Sequence, residues 1–142
     1  MAVEPTYTPP TGSQLADAVA RDANQLRAAS FVVGAEAGNA ITVAVQLKNV
    51  TGTDLAERGS LLAYLSDDAN GDSLAATAPS GNVVIGTDGL AIPLVAKKCF
   101  LLTSEADGDI DITVNEAVVA TWFLLLVLPN GKLAVSSAIT FA

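Results

Sequence analysis

The chain has 142 residues, which is enough for one domain with a core of its own. Its net charge of −8 disfavours binding to nucleic acid or to an anionic membrane surface, because both are negatively charged. There is no histidine and one cysteine, Cys99, so the sequence lacks the commonest general base, the usual zinc ligands and any intrachain disulfide.

The first 29 residues differ in pattern from the rest of the chain. Residues 1–12 hold three of the six prolines, which predicts an extended arm, either a free tail or one ordered on a neighbouring subunit. Residues 13–29 predict the single helix, with Ser13 as its N-cap. Such a short helix is marginal in water and docks either on its own domain or on other copies. Its apolar face consists of Leu15, Val19, Ala23 and Leu26.

From residue 30 onward, apolar residues recur at every second position, which predicts short antiparallel strands. Pro93 indicates an edge strand, because proline cannot donate to a β-ladder. Residues 30–142 therefore predict an all-β domain, an antiparallel β-sandwich with an immunoglobulin-like Greek key or, as the alternative, a jelly roll. The predicted strands lie near residues 31–33, 40–47, 60–65, 83–85, 91–95, 97–103 and 109–114, and a long hairpin follows at 118–141.

Every residue of the segment 122–128 is apolar, which predicts a strand covered on both faces. One face belongs to the core of the sandwich. The other needs the helix, the arm or another subunit, because a large exposed aliphatic patch promotes aggregation. This pattern favours a homo-oligomer, and a trimer is the preferred form.

Two acidic segments are candidate sites. Residues 66–72 are rich in oxygen ligands and predict either a plain turn or a weak calcium site, although Ser66 and Thr77 stand where an EF-hand has its first Asp and its closing Glu. The candidate calcium ligands are Asp67, Asp68, Asn70 and Asp72. Four further carboxylates recur at period two and would share one strand face, either as a charged, solvated surface or as a sugar-hydrolysing pair. They are Glu105, Asp107, Asp109 and Asp111.

No catalytic residue and no cofactor are predicted, and we expect Cys99 to be a small buried hydrophobic residue. The N-terminus lacks the basic start and apolar stretch of a secretory signal, so we expect synthesis in a cytoplasm.

Four segments resemble known proteins: AYLSDDANGD (63–72), GTDG (86–89), SEADGDID (104–111) and LVLPNGK (126–132). Through them, the chain from Phe31 to Ala142 resembles small structural proteins of tailed bacteriophages that decorate or cement the head. The resemblance implies a non-enzymatic, often trimeric domain on the capsid exterior of the virion, made in the host cytoplasm. Its partner would be the major capsid protein, at the places where capsid subunits meet. The resemblance assigns no residue a role.

An adhesion or carbohydrate-binding module on a fibre or cell surface is the alternative, with residues 66–82 as its recognition loop. Such a surface needs exposed aromatic rings. The chain offers Tyr7, Tyr64 and Trp122 as amphipathic rings, and we expect Trp122 to be buried.

Overall fold

The computed structural model describes residues 8, 9 and 11–142, so most of the predicted arm, residues 1–12, lies outside the described residues. The described chain forms one helix, α1 (Gly12–Ala23), and ten strands that pair only antiparallel. The strands are β1 (Ala28–Val33), β2 (Ala40–Lys48), β3 (Ser60–Ser66), β4 (Val83–Ile85), β5 (Leu90–Val95), β6 (Cys99–Thr103), β7 (Asp109–Asn115), β8 (Ala120–Val127), β9 (Leu133–Val135) and β10 (Ile139–Phe141).

The strands form two sheets that pack face to face, which confirms the predicted β-sandwich. The first sheet has the order β1-β2-β7-β4, and the second has the order β10-β8-β3-β6-β5, with β9 also paired to β8. Because β2 and β7 alternate apolar and polar residues, they bury one side and expose the other. The two inner faces meet in a mainly aliphatic core that includes Ile41, Val43, Val45, Ile110, Ile112, Leu61, Leu65, Leu102, Leu124 and Leu126.

Seven of the strands follow the order of an immunoglobulin-like Greek key. In that fold, strands A-B-E-D form one sheet and C-F-G form the other. Here β1-β2-β7-β4 and β3-β8-β10 occupy these places, and the hairpin β5–β6 is an insertion that widens the second sheet beyond β3. Pro93 lies on β5, the outermost strand, which confirms the predicted edge position.

The N-cap of α1 is Thr11 rather than the predicted Ser13. The Gln14 N–H donates to Thr11 Oγ1 (3.3 Å), and the Thr11 N–H donates to Gln14 Oε1 (2.8 Å). This reciprocal capping box satisfies two backbone donors at the start of the helix. Ser13 cannot be the N-cap, because it already lies within the first turn.

The helix is also shorter than the predicted 13–29. It ends at Ala23, and residues 28 and 29 already belong to β1. The Arg27 N–H donates to the Lys48 carbonyl (2.9 Å) just ahead of the β1–β2 ladder, so pairing with a long neighbouring strand replaces helical hydrogen bonds there.

Strand β8 is covered by its own chain on the inner face and, at Leu125, on the outer face. Alternate side chains enter the core, whereas Leu125 points to the outer side and is nevertheless fully buried. The loop between β3 and β4 lies over it: the Tyr64 hydroxyl donates to the Gly71 carbonyl (2.6 Å), and a Cβ on Gly71 would lie 2.2 Å from Leu125 Cδ2. At Leu125 this loop takes the place of the expected helix, arm or second subunit; for the rest of the outer side, including the half-buried Val127, the expectation stays a prediction.

The predicted hairpin 118–141 is interrupted on its second side. Between the positions where β9 and β10 pair with β8, three residues stand opposite two, which is a β-bulge. Ser136 anchors this bulge, because its N–H donates to the Leu124 carbonyl (2.9 Å) and its Oγ accepts from the Leu124 N–H (2.9 Å). A hydroxyl thus replaces the backbone partner that the bulge removes.

Candidate interaction surfaces

The loop between β3 and β4 uses its carboxylates to hold its own backbone. Asp68 Oδ1 accepts the N–H groups of Asn70 and Gly71, each at 2.9 Å, and Asp67 Oδ2 accepts the Ala76 N–H at 2.8 Å. The Asp68 bonds are typical of an Asx turn, whereas the Asp67 bond closes a longer part of the loop. In the part of the chain that the structure describes, no group of three or more His, Cys, Asp or Glu side chains is placed to hold a metal ion. The calcium site at Asp67, Asp68, Asn70 and Asp72 therefore gains no support from this geometry.

The four carboxylates of residues 105–111 do not share one strand face. Glu105 and Asp107 lie in the turn before β7, and Glu105 forms an ion pair with Arg58 (3.2 Å). Asp109 and Asp111 lie on β7 itself. Burial, together with neighbouring carboxylates, raises the pKa of Asp109. The segment forms an acidic end of the first sheet.

A buried carboxylate that the sequence pattern does not reveal connects the end of β7 to the start of β4. Glu116 is 4% exposed and accepts the Ser80 N–H (2.9 Å), the Ser80 hydroxyl, and the N–H groups of Ala117 (2.7 Å) and Val118 (3.1 Å). The hydrogen bonds from Ser80, more than any other cause, lower the pKa of Glu116 to about 2. The residue stays ionised at neutral pH and holds two connections together.

The outer side of the second sheet carries an apolar row that crosses five strands. Neighbouring side chains in the row are paired in the ladders, and four of them are 37–47% exposed. On β5 the row widens through Leu90 and Val95, which are also exposed. We call this surface the open face; it comprises Ile92, Leu101, Leu62, Val127 and Leu133 in the row, together with Leu90 and Val95.

The open face carries no charge and few free polar groups. None of the six described strands of the second sheet contains a charged residue, whereas both β2 and β7 of the first sheet do. The outer hydroxyls are paired with each other, Ser60 with Thr103 at 2.8 Å and Thr121 with Thr140 at 3.2 Å. A partner on this surface would release water from apolar side chains without leaving these hydroxyls unpaired.

Helix α1 is a second apolar surface without a partner in the described chain. Leu15 is 51% exposed and Val19 is 66% exposed. A backbone bond joins the end of the helix to the sandwich, from the Val50 N–H to the Ala23 carbonyl (3.2 Å). This exposure argues against the expected docking of this face on its own domain, and the other expected mode, docking on other copies, stays a prediction.

A groove of about 470 Å³ lies between the free edges of β4 and β5. Its lining is mostly aliphatic and includes Phe100 from the core. Lys97 stands at the groove, and its Nζ donates to the carbonyls of Pro79 (3.1 Å) and Ser80 (3.0 Å). The Lys97 ammonium group is therefore already hydrogen-bonded within the chain.

The described amphipathic rings do not form an exposed aromatic platform. Trp122 is 3% exposed and packs edge-on against Phe141 with ring centroids 6.1 Å apart, which confirms that it is buried. Tyr64 is half-buried, and burial, with Asp72 and Asp68 adding to it, raises the pKa of its hydroxyl. Tyr7 lies outside the described residues. These rings give the carbohydrate-binding alternative no support.

No helix in the described residues is both long enough and apolar enough to cross a membrane. No protein-family model and no curated protein matches the chain. Among solved structures, the chain is similar to a cohesin module from the Clostridium perfringens ATCC13124 family 33 glycoside hydrolase, with a TM-score of 0.38 and 11% sequence identity, over 82% of this chain and 93% of that module. A likeness this distant carries no argument about function.

Proposed function

We propose that this protein is a non-enzymatic virion structural protein that binds the outer surface of an assembled phage capsid and stabilises it, acting as a homo-oligomer. The observation that carries the proposal is the exposed apolar side of α1. A 12-residue helix has little stability of its own in water, so most of its support comes from a surface on which it packs.

The docking element would be α1 with the residues that precede it, and the sandwich would be the body that it anchors. Leu15 and Val19 lie four positions apart, so both face the same surface. The sequence resemblance to head-decorating proteins supplies the nature of that surface, the major capsid protein in the assembled shell.

Stabilisation would follow from mass action. A ligand that binds the assembled shell but not its free subunits shifts the equilibrium toward the shell. A shell presents many equivalent sites, so modest affinity at each site adds up over the particle.

The double variant Leu15→Ser/Val19→Ser tests this function. We expect its occupancy on purified heads assembled without the protein to fall at least tenfold, because two aliphatic contacts are lost. Its melting temperature should stay close to that of the wild type, since both side chains are exposed. The measurement is quantitative gel analysis of heads recovered after incubation.

The matched control is Val32→Ser, which removes an aliphatic side chain that is 69% exposed on β1. It should bind heads like the wild type. Full occupancy of the double variant, or an equal loss with the control, would contradict the role of α1.

A further inference from the structure

We propose that the open face binds a second copy of this chain, so that two sandwiches pack sheet on sheet about a two-fold axis. This inference concerns a surface separate from α1 and does not depend on what α1 binds. Both surfaces can be occupied in the same molecule.

The charge distribution selects the occupant. Two chains with a net charge of −8 repel each other, and this repulsion is least where the contact surface itself is uncharged. The open face meets that condition along its row, because its strands contain no charged residue; Asp68 and Asp72 of the loop between β3 and β4 lie at its margin, near Tyr64. A basic partner would instead be drawn to the acidic end of the first sheet, around Asp109.

The row is also suited to pack against itself. Its central member is Leu62 on β3, with two strands of the row on either side. A two-fold axis near Leu62 would therefore place each half of the row in one copy against the opposite half of the row in the second copy. Such an interface is self-complementary. Aligned sheets pack in this way about 10 Å apart.

The size of the face agrees with a weak dimer. Five strands about 4.8 Å apart give a width of about 24 Å. Since β9 has three residues and the loop between β3 and β4 covers Leu125, the exposed depth is about three residues, or about 10 Å, which gives a flat area of about 240 Å². This lies below the roughly 600 Å² per partner of specific, stable interfaces, so the contact is weak and transient.

Edge-to-edge pairing is a poorer mode of association for this sheet. Its outermost strand β5 contains Pro93 and shifts register beside it. Proline and bulges on an edge strand hinder the addition of another strand. Packing through the face does not need the free edge.

Sedimentation equilibrium of the full chain over about 1–200 µM tests the inference. We expect a monomer–dimer equilibrium in the micromolar range for the wild type, as small interfaces give. Leu62→Asp should weaken it at least tenfold, because it buries an unpaired charge at the centre of the interface. Near-UV circular dichroism reports whether the variant is folded, and Leu62→Asn serves in its place if it is not.

Val32→Asp is the matched control, since it adds the same charge to an exposed aliphatic position of the first sheet. It should dimerise like the wild type. A wild type that stays monomeric, a trimer, or a dimer that both charged variants weaken equally would overturn the inference. So would a Leu62→Asp variant that loses attachment to heads without any change in self-association. A monomeric wild type would also remove the homo-oligomer from the proposed function, whereas attachment to heads is tested separately by the occupancy of Leu15→Ser/Val19→Ser.

Discussion

At the residue scale, Glu116 makes the stability of the fold depend on pH. Its carboxylate has an ordinary pKa of 4.5 and a pKa of about 2 in the folded protein. A lowered pKa means that the ionised form stabilises the fold above about pH 4.5 and that this contribution is lost as the pH falls toward 2.

We expect Glu116→Gln to have a lower melting temperature than the wild type at pH 7. The amide cannot reproduce the acceptor pattern toward Ser80, Ala117 and Val118. The difference should shrink between pH 4.5 and 2, because the wild-type carboxylate becomes protonated there. Thermal unfolding followed by circular dichroism at several pH values measures it. The exposed Glu57→Gln is the control, and a difference that stays constant with pH would contradict the assignment.

The sequence could not reveal Glu116 as a structural residue. It follows β7 in a stretch that is typical of any strand end, and its main partner, Ser80, is 36 positions away. Only the return of β4 beside β7 brings the two together. Trp122 shows the opposite case, because an amphipathic ring within an apolar segment is expected in the core from local pattern alone.

At the element scale, the loop between β3 and β4 closes over β8 at Gly71. We expect Gly71→Ala to destabilise the fold by about 2–4 kcal/mol, combining the strain of an alanine at positive φ with overpacking against Leu125. Urea unfolding gives this value. Gly131→Ala has a similar φ, +80° against +73°, and nothing within 4 Å of its Cβ, so it should cost only about 1 kcal/mol. Equal costs would mean that the loop does not press on β8.

Period-two alternation was sufficient to place most strands, since burial of one sheet face imposes it residue by residue. It could not show what covers the outer side of β8, because the covering loop is polar and irregular and its contact with Leu125 depends on the folded path of the chain. The sequence pattern also predicts too long a helix. Leu26 continues the apolar spacing of α1, but it lies beyond the end of the helix and packs against the core.

At the scale of the whole molecule, charged residues within the described strands occur only in the first sheet, and Asp68 and Asp72 reach the margin of the second from a loop. The acidic end of β7 belongs to the first sheet, and the open face belongs to the second. Total composition gives the net charge but not this separation, which arises when the Greek key sends successive strands to different sheets. A molecule of this kind can associate through one side while the other side keeps it soluble.

This separation predicts how salt affects self-association. Two copies of charge −8 repel each other, and salt screens this repulsion beyond about one Debye length. The Debye length is about 20 Å at 20 mM salt and about 6 Å at 300 mM, so the repulsion is much weaker at the higher concentration. Because the open face contributes no charged pair, salt weakens the repulsion and leaves the apolar attraction intact. We therefore expect the dimer dissociation constant to fall about tenfold between these salt concentrations, in sedimentation equilibrium on the wild type. Self-association driven by opposite charges would show the reverse trend, so a dimer that dissociates with added salt would contradict the open face as the contact.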